Sequence, residues 1–202
     1  MDLDVLLELS PSDRWTFVRG RIGTEAVHMD AALSGVHAAL RDRHDREALL
    51  EAPESWGAKM RECNDRLAAR SVPAPLRAAM EYALRDAALA WRERNRYMHD
   101  LLVDRLDVDD APAELSETRA DDARYRLRLS RKKDVPETVS VSFDEAVDLV
   151  CKLVSATWRL RATRHCLSNV SSVWRSMLLG AVEGDWDGTA SWVTSSDSDE
   201  DQ

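Results

Sequence analysis

The centre of the chain reads WRERNRYMHD at residues 91–100, and this stretch closes the clearest helical pattern in the sequence. Four apolar side chains lead into it at alternating steps of four and three, as one face of an α-helix requires: Met80, Leu84, Ala87 and Trp91. The next positions of that face are 94 and 98, and position 94 holds an arginine where the pattern predicts a core side chain. Because burying an unpaired charge is costly, we expect Arg94 to have a fixed partner or a function.

Arg94 and His99 diverge on this predicted helix. They are five residues apart, and five steps correspond to a separation of about 140° around an ideal helix. Asn95 and His99 are four apart and therefore lie on one flank. A single helix would present Arg94 and His99 on different sides of its apolar face.

The pattern Arg94-Asn95-x-x-x-His99 resembles the signature of the HEPN superfamily, the higher eukaryote and prokaryote nucleotide-binding domains. The common form in that family is Arg-Asn, three residues and His, near the end of a long helix. Many of these all-helical domains are metal-independent ribonucleases of toxin–antitoxin, abortive-infection and CRISPR systems. A second spacing stays open, because Arg92 and His99 are seven apart and share one helix face. We prefer Arg94 because the polar Asn95 follows it.

The resemblance implies a homodimer in which Arg and His of both protomers meet in a composite site, and RNA cleavage without metal or other cofactor. The 2′-hydroxyl of RNA would be the nucleophile and a 2′,3′-cyclic phosphate the product, so DNA would not be a substrate. His99 would move the proton of the 2′-hydroxyl or of the leaving oxygen. Arg94 would stabilise the charge of the pentavalent phosphate, and Asn95 would hold the histidine ring or a phosphate oxygen.

A free endoribonuclease would be toxic to its cell, so the resemblance also implies control by a cognate antitoxin or a phage-triggered regulatory protein. The protein would then be a toxin or an anti-phage defence effector. The alternative hypothesis is a non-catalytic HEPN-like interaction or dimerisation module. In that case Arg94, Asn95 and His99 form a satisfied polar patch at the dimer interface.

The composition indicates a soluble protein rich in helix. Of 202 residues 44% are hydrophobic and 32% charged, and only seven Gly and six Pro argue against a turn-rich β fold. The net charge of −9 does not favour nucleic-acid binding, so any RNA contact must come from local basic patches. No apolar run approaches the length of a membrane span, and the start, MDLD, lacks the basic residues of a signal peptide. These features predict a cytoplasmic protein without membrane contact.

Three widely spaced cysteines, Cys63, Cys151 and Cys166, are typical of reduced cytosolic thiols rather than of a disulfide framework. The His165-Cys166 pair has no further ligand at zinc spacing, so we predict no metal site. The sequence also lacks a Gly-rich phosphate loop, a G-x-S-x-G elbow and an H-E-x-x-H motif. Phosphodiester cleavage at the arginine–histidine pair is therefore the one specific chemistry that the sequence offers.

Turn and capping signals divide the chain into four long predicted helices. They begin near residues 11, 55, 76 and 143 and end near residues 44, 70, 106 and 180. The apolar seam of the first is regular, with steps of four and three: Ile22, Ala26, Met29, Leu33, Val36 and Leu40. Ser142 and Glu145 match a capping box at the start of the last helix. The apolar side of that helix is predicted to begin with Val147, Val150, Val154 and Trp158.

Before the last helix the pattern changes to strict alternation, which predicts a β-hairpin at about residues 124–143. One face would be apolar and include Val139, Val141 and Phe143, and the other would be basic, with Lys132 and Lys133 in the turn. The basic face is either a solvated strand surface or a contact to the RNA backbone. The candidate RNA-binding residues, on the hairpin and beside the motif, are Arg92, Arg96, Arg124, Arg126, Arg128, Lys132 and Lys133.

The fold class predicted from these patterns is mainly α. We expect a HEPN-like up-down bundle of about four long helices with a short β-hairpin inserted before the last helix. Residues 1–190 would form a single domain, and the acidic, Ser-rich residues 191–202 a disordered tail.

Overall fold

The mainly helical fold class is confirmed in the computed structural model, which describes residues 8–43, 45–99, 101–103, 124–128, 137–168 and 178–180. Five helices follow one another in this part of the chain: α1 (Pro11–Leu40), α2 (Arg46–Leu50), α3 (Trp56–Ala69), α4 (Ala74–His99) and α5 (Phe143–Leu167). Four of them are the long predicted helices, and the short α2 lies in a segment predicted to be a connection. The turn with Lys132 and Lys133 and the tail at 191–202 lie outside the described residues.

Local capping determines where the helices begin. Ser142 and Glu145 form the predicted capping box: Ser142 Oγ accepts from the Glu145 amide at 3.1 Å, and Glu145 Oε2 accepts from the Ser142 amide at 2.9 Å. At the start of α3, Ser55 Oγ accepts from the Ala58 amide at 3.2 Å. Pro11 is the first residue of α1, a position at which the missing N–H has no helical partner to lose.

The apolar seam of α1 is buried as predicted. None of its six members is more than 7% exposed: Ile22, Ala26, Met29, Leu33, Val36 and Leu40. On α4 the predicted seam is buried at Met80, Leu84 and Ala87. Further along α4 the prediction is wrong by one residue, since Tyr97 is buried and Met98 is only half-buried.

The predicted apolar side of α5 is also wrong by a fraction of a turn, because only Val150 of its four predicted members is buried. Buried positions instead recur at steps of three and four from the first residue of the helix: Phe143, Ala146, Leu149, Leu153, Ala156 and Leu160. Apolar side chains occupy both registers of this helix, so its periodicity alone does not select one. The leucines bury more apolar area than the valines, which favours the observed register.

Helix α4 ends at His99, whereas the sequence predicted a helix to about residue 106. Leu101–Val103, predicted to continue the apolar helix face, instead form strand β1. A short apolar run cannot be assigned to helix or strand from periodicity alone. Here the antiparallel partner strand supplies the backbone hydrogen bonds that another helical turn would have supplied.

Three strands form one antiparallel sheet in the order β1-β2-β3, with β2 at Arg124–Arg128 and β3 at Glu137–Val141. The register places Arg126 opposite Leu102 of β1 on one side and opposite Val139 of β3 on the other. Both β2 and β3 lie within the range predicted for the hairpin. Its predicted end is corrected, because Phe143 is the first residue of α5 and not a strand residue.

Residue contacts divide the chain into two compact units. The first consists of Met1–His28 and Ala88–Val154, and the second of Met29–Ala87 and Ser155–Gln202. The first unit therefore contains the motif, the sheet and the start of α5. Within the described ranges, none of the helices combines the length and apolar character needed to cross a membrane.

In the first unit, α1 contacts both α5 and α4. The rings of Trp15 and Phe143 meet edge to face, with centroids 6.0 Å apart. Gly23 of α1 lies close to α4, since a Cβ added at Gly23 would be 3.9 Å from the Met98 Cε atom. That distance is an ordinary van der Waals contact, so an alanine would also fit at this position.

The second unit contains two polar contacts between α1 and α3. The buried Lys59 donates to Asp30 Oδ1 at 2.8 Å and to Ser34 Oγ at 2.9 Å. His37 is 1% exposed, and its Nε2 lies 3.0 Å from Glu62 Oε2. The buried ammonium of Lys59 thus has an acidic partner, as burial of a charge demands. The Nδ1 atom of His37 is buried without a hydrogen-bond partner in the described residues.

Candidate active site

Arg94 is held by its own helix. It lies one turn after Trp91, and its Cζ atom is 4.9 Å from the centroid of the Trp91 ring. Its Nη1 donates to Asn95 Oδ1 at 3.0 Å. The side chain is half-buried, and its Nε is buried without a hydrogen-bond partner in the described part of the chain. Arg94 therefore has the fixed surroundings that the sequence predicts for a charge on an apolar seam.

Among the described residues, no acid neutralises the guanidinium of Arg94. Burial lowers the pKa of Arg94, although an arginine stays protonated at neutral pH. The carboxylate of Glu93 does not pair with it, because Lys152 of α5 binds both Glu93 oxygens at 3.3 Å. Hydrogen bonding to Asp148, and charge interaction with Glu93, raise the pKa of Lys152. Within the described ranges the site therefore retains the full positive charge of Arg94.

Asn95 has a contact that the sequence did not predict. Its expected contact with the histidine ring or a phosphate oxygen stays a prediction, while its Oδ1 accepts a hydrogen bond from Arg94. This contact fixes the amide plane, and it directs the carbonyl oxygen towards the arginine. The amide nitrogen of Asn95 is then the group available for a phosphate oxygen.

His99 is the last residue of α4, and its side chain lies outside the described part of the structure. Arg94 and His99 belong to one uninterrupted helix, so the divergence of about 140° for a five-residue step applies to their backbone positions. Nothing in the described residues tests the predicted pairing of the two across a dimer axis. That pairing stays a prediction.

Arg92 precedes the motif and Arg96 lies within it, and both are exposed. Their exposure distinguishes them from Arg94, which is half-buried and fixed. Leu89, three positions before Arg92, is 55% exposed and adds an apolar element to this side of α4. The alternative pairing of Arg92 with His99 would therefore use a solvated arginine in place of a fixed one.

The basic strand follows the motif closely in the sheet. β1 begins two residues after His99, and the register of β2 puts Arg126 opposite Leu102. Arg124 and Arg128 are the two ends of the same strand. The structure thus brings the backbone of β2 next to the segment that leaves the motif helix.

Another arginine and histidine at comparable spacing show why spacing alone does not define a site. Arg159 and His165 are six apart on α5. Arg159 is 14% exposed and donates to Asp86 Oδ2 at 2.5 Å. An arginine bound in this way has its charge cancelled, whereas Arg94 has not.

Sequence reasoning missed two contacts around the site. The contact of Trp91 with Arg94 was readable, because side chains three apart on a helix meet. The ion pair of Glu93 with Lys152 was not readable, since the two residues are 59 positions apart. Among the described residues, no three His, Cys, Asp or Glu side chains are grouped so that they could hold a metal ion.

No protein-family model, curated protein or solved structure matches this chain. A functional assignment therefore depends on the residues of the site and their contacts. The informative residues are Arg94, with its aromatic and amide partners, and the position of His99 at the end of the same helix.

Proposed function

We propose that the protein is a metal-independent endoribonuclease of the HEPN type that acts as a homodimer. Its biological role would be that of a toxin or anti-phage defence effector under the control of an antitoxin or regulatory protein. One observation carries most of this proposal. A half-buried guanidinium is fixed by a ring and an amide, and no carboxylate in the described residues cancels its charge.

A guanidinium with these surroundings is suited to bind a phosphate group. A structural arginine in a protein interior normally pairs with a carboxylate, since an unpaired buried charge is unfavourable. Arg94 bears the cost of partial burial, visible in its lowered pKa, without that compensation. An anion that binds only during function would supply the missing partner. A phosphodiester in its pentavalent state, with an additional negative charge, would gain the most from it.

The reaction would form a bond between the 2′-oxygen and phosphorus while the bond from phosphorus to the 5′-oxygen breaks. The 2′-hydroxyl proton leaves to a base, and the departing 5′-oxygen takes a proton from an acid. Histidine exchanges protons near neutral pH, which suits His99 to either step. Two copies of His99 in a homodimer would supply one histidine for each transfer, with a 2′,3′-cyclic phosphate as the product.

RNA binding outside the reacting phosphate would use local positive charge. Arg92 and Arg96 are exposed on the motif helix, and β2 contributes Arg124, Arg126 and Arg128 close to the end of that helix in the sheet register. In a protein of net charge −9 these contacts would be weakened strongly by salt.

The test is RNA cleavage in EDTA by the purified wild type, His99→Ala and Arg94→Ala, each checked for its melting temperature and its mass by light scattering. Loss of a proton-transfer group should lower the rate by about 10²- to 10⁴-fold. Arg161→Ala is the matched control, because Arg161 also lies over a tryptophan one turn before it. That variant should cleave as the wild type does.

A comparison of RNA-containing and all-DNA substrates tests whether the 2′-hydroxyl is the nucleophile. A DNA strand with a single ribonucleotide should be cut at that nucleotide, and the all-DNA strand should resist. Equal cleavage by wild type, His99→Ala and Arg94→Ala would identify a contaminating nuclease. A stable monomer that cleaves no RNA, even after removal of any copurified protein, would contradict the proposal and favour the non-catalytic interaction module.

A further inference from the structure

The contact between Trp91 and Arg94 has the geometry of a cation over an aromatic face. The distance of 4.9 Å from the guanidinium carbon to the ring centroid is within the range in which such contacts are attractive. Both residues are half-buried, and both belong to the described end of α4. The indole ring is therefore part of the immediate surroundings of the proposed catalytic arginine.

An aromatic partner differs from a carboxylate because it leaves the charge and the N–H groups of an arginine available to another ligand. A carboxylate accepts the N–H groups of a guanidinium and cancels its charge. An aromatic ring attracts the cation through its quadrupole and accepts none of the N–H groups that lie in the guanidinium plane. In the described structure Asn95 accepts from Nη1, and the Nε atom is buried without a partner. The Nη2 edge thus stays available for two oxygens of a phosphate.

We propose that Trp91 is the positioning residue of this site: its ring fixes the plane of the Arg94 guanidinium so that the Nη2 edge meets the phosphate of the RNA. This inference rests on the proposed ribonuclease function. Trp91 acts through Arg94 and needs no contact with the substrate. The hydrogen bond to Asn95 prevents the guanidinium from rotating within its own plane, and the Trp91 ring sets the orientation of that plane.

The chain contains a matched pair that lacks the proposed role. Arg161 of α5 lies over Trp158, with 5.2 Å between its Cζ and the ring centroid. The spacing is the same as that of Trp91 and Arg94, and Trp158 is also half-buried. Arg161, however, is exposed, and no histidine follows it at the spacing of the motif. Removing either ring should therefore have similar effects on folding, and only one removal should affect cleavage.

The experiment compares Trp91→Leu, Trp91→Phe and the control Trp158→Leu with the wild type, using kcat and KM for RNA cleavage in EDTA. Loss of the ring should lower kcat by roughly tenfold, with a smaller change in KM, since a misdirected guanidinium stabilises the transition state less well. Trp91→Phe keeps an aromatic face and should recover most of this loss. Trp158→Leu should match the wild type.

A second readout reports the arginine directly and does not depend on activity. The Arg94 Nε–H resonance, assigned by its loss in Arg94→Ala, should be shifted by the ring current of Trp91. It should move in Trp91→Leu and stay in place in Trp158→Leu. If wild type cleaves RNA and Trp91→Leu matches it in kcat, the positioning role is overturned and the proposed function stands. If wild type cleaves no RNA, the proposed function falls and this inference falls with it.

Discussion

Replacing Arg94 with methionine should leave the fold about as stable as it is now, because this arginine contributes little to stability. Arg94 donates one hydrogen bond to Asn95 and lies over the Trp91 ring. Losing these contacts costs about 1 kcal/mol each. Removing the buried, unpartnered Nε regains about 1–3 kcal/mol. The free energy of unfolding should therefore change by between about −1 and +1 kcal/mol. RNA cleavage should be lost.

Arg159→Met is the matched control for this prediction. Arg159 resembles Arg94 in lying over a ring, 5.4 Å from the Tyr82 centroid, and in having a buried Nε without a described partner. It differs in its ion pair with Asp86, whose side chain is 28% exposed. Because both variants lose a ring contact and a buried Nε, they differ mainly in this ion pair. Breaking a buried pair costs about 3–5 kcal/mol and partial exposure lowers that cost, so Arg159→Met should be roughly 1–3 kcal/mol less stable than Arg94→Met.

Urea unfolding followed by circular dichroism gives both free energies, provided that the slopes of the variants agree with that of the wild type. Cleavage assays on the same preparations give the activities. Arg94→Met should be stable and inactive, and Arg159→Met should be destabilised. A loss of more than about 2 kcal/mol in Arg94→Met would make Arg94 a structural residue and would refute the reasoning from its missing acid partner.

Three further predictions concern the scaffold. Gly20→Ala should raise the free energy of unfolding by about 0.5–1 kcal/mol in a urea titration, because an added Cβ meets nothing within 4 Å in the interior of α1. The hydrogen bond with His37 lowers the pKa of Glu62 from its ordinary 4.5, so this contact stabilises the fold above that range and is lost as the pH falls. Glu62→Gln should therefore flatten the acid limb of a plot of melting temperature against pH, and an unchanged limb would contradict the pairing. Burial raises the pKa of the Cys63 thiol to about 12, so mass spectrometry after brief iodoacetamide treatment should find the exposed Cys151 modified and Cys63 intact.

The sequence predicts those parts of the fold for which neighbours along the chain supply the partners. The α1 seam follows from steps of three and four, and the capping box of Ser142 and Glu145 follows from a three-residue spacing. The end of α4 is different. Leu101–Val103 become a strand because β2 pairs with them, and that partner begins more than twenty positions later. The local sequence pattern carries no information about a partner so far along the chain.

The contacts of the candidate site can be divided in the same way, into those between neighbours along the chain and those between distant residues. The contact of Trp91 with Arg94 is readable from the spacing alone, because side chains three apart on a helix meet. The contact of Arg94 with Asn95 is not, because adjacent side chains do not face each other on a helix. The ion pair of Lys152 with Glu93 depends on the packing of α5 against α4 and has no local signal. The proposed pairing of Arg94 with His99 would require a second copy of the chain, and one sequence specifies neither the axis nor the faces that would meet there.

The surroundings of Arg94 preserve its positive charge in an acidic chain, which has 37 acidic and 28 basic residues. The neighbouring Glu93 would weaken the attraction of a phosphate if its charge were free. Lys152 binds Glu93 at 3.3 Å and Asp148 at 2.8 Å, so one lysine compensates two carboxylates on two helices. Trp91 meanwhile holds Arg94 without cancelling its charge. At the proposed site, the attraction of a phosphate would therefore depend on α5 as well as on α4, although the sequence motif lies entirely on α4.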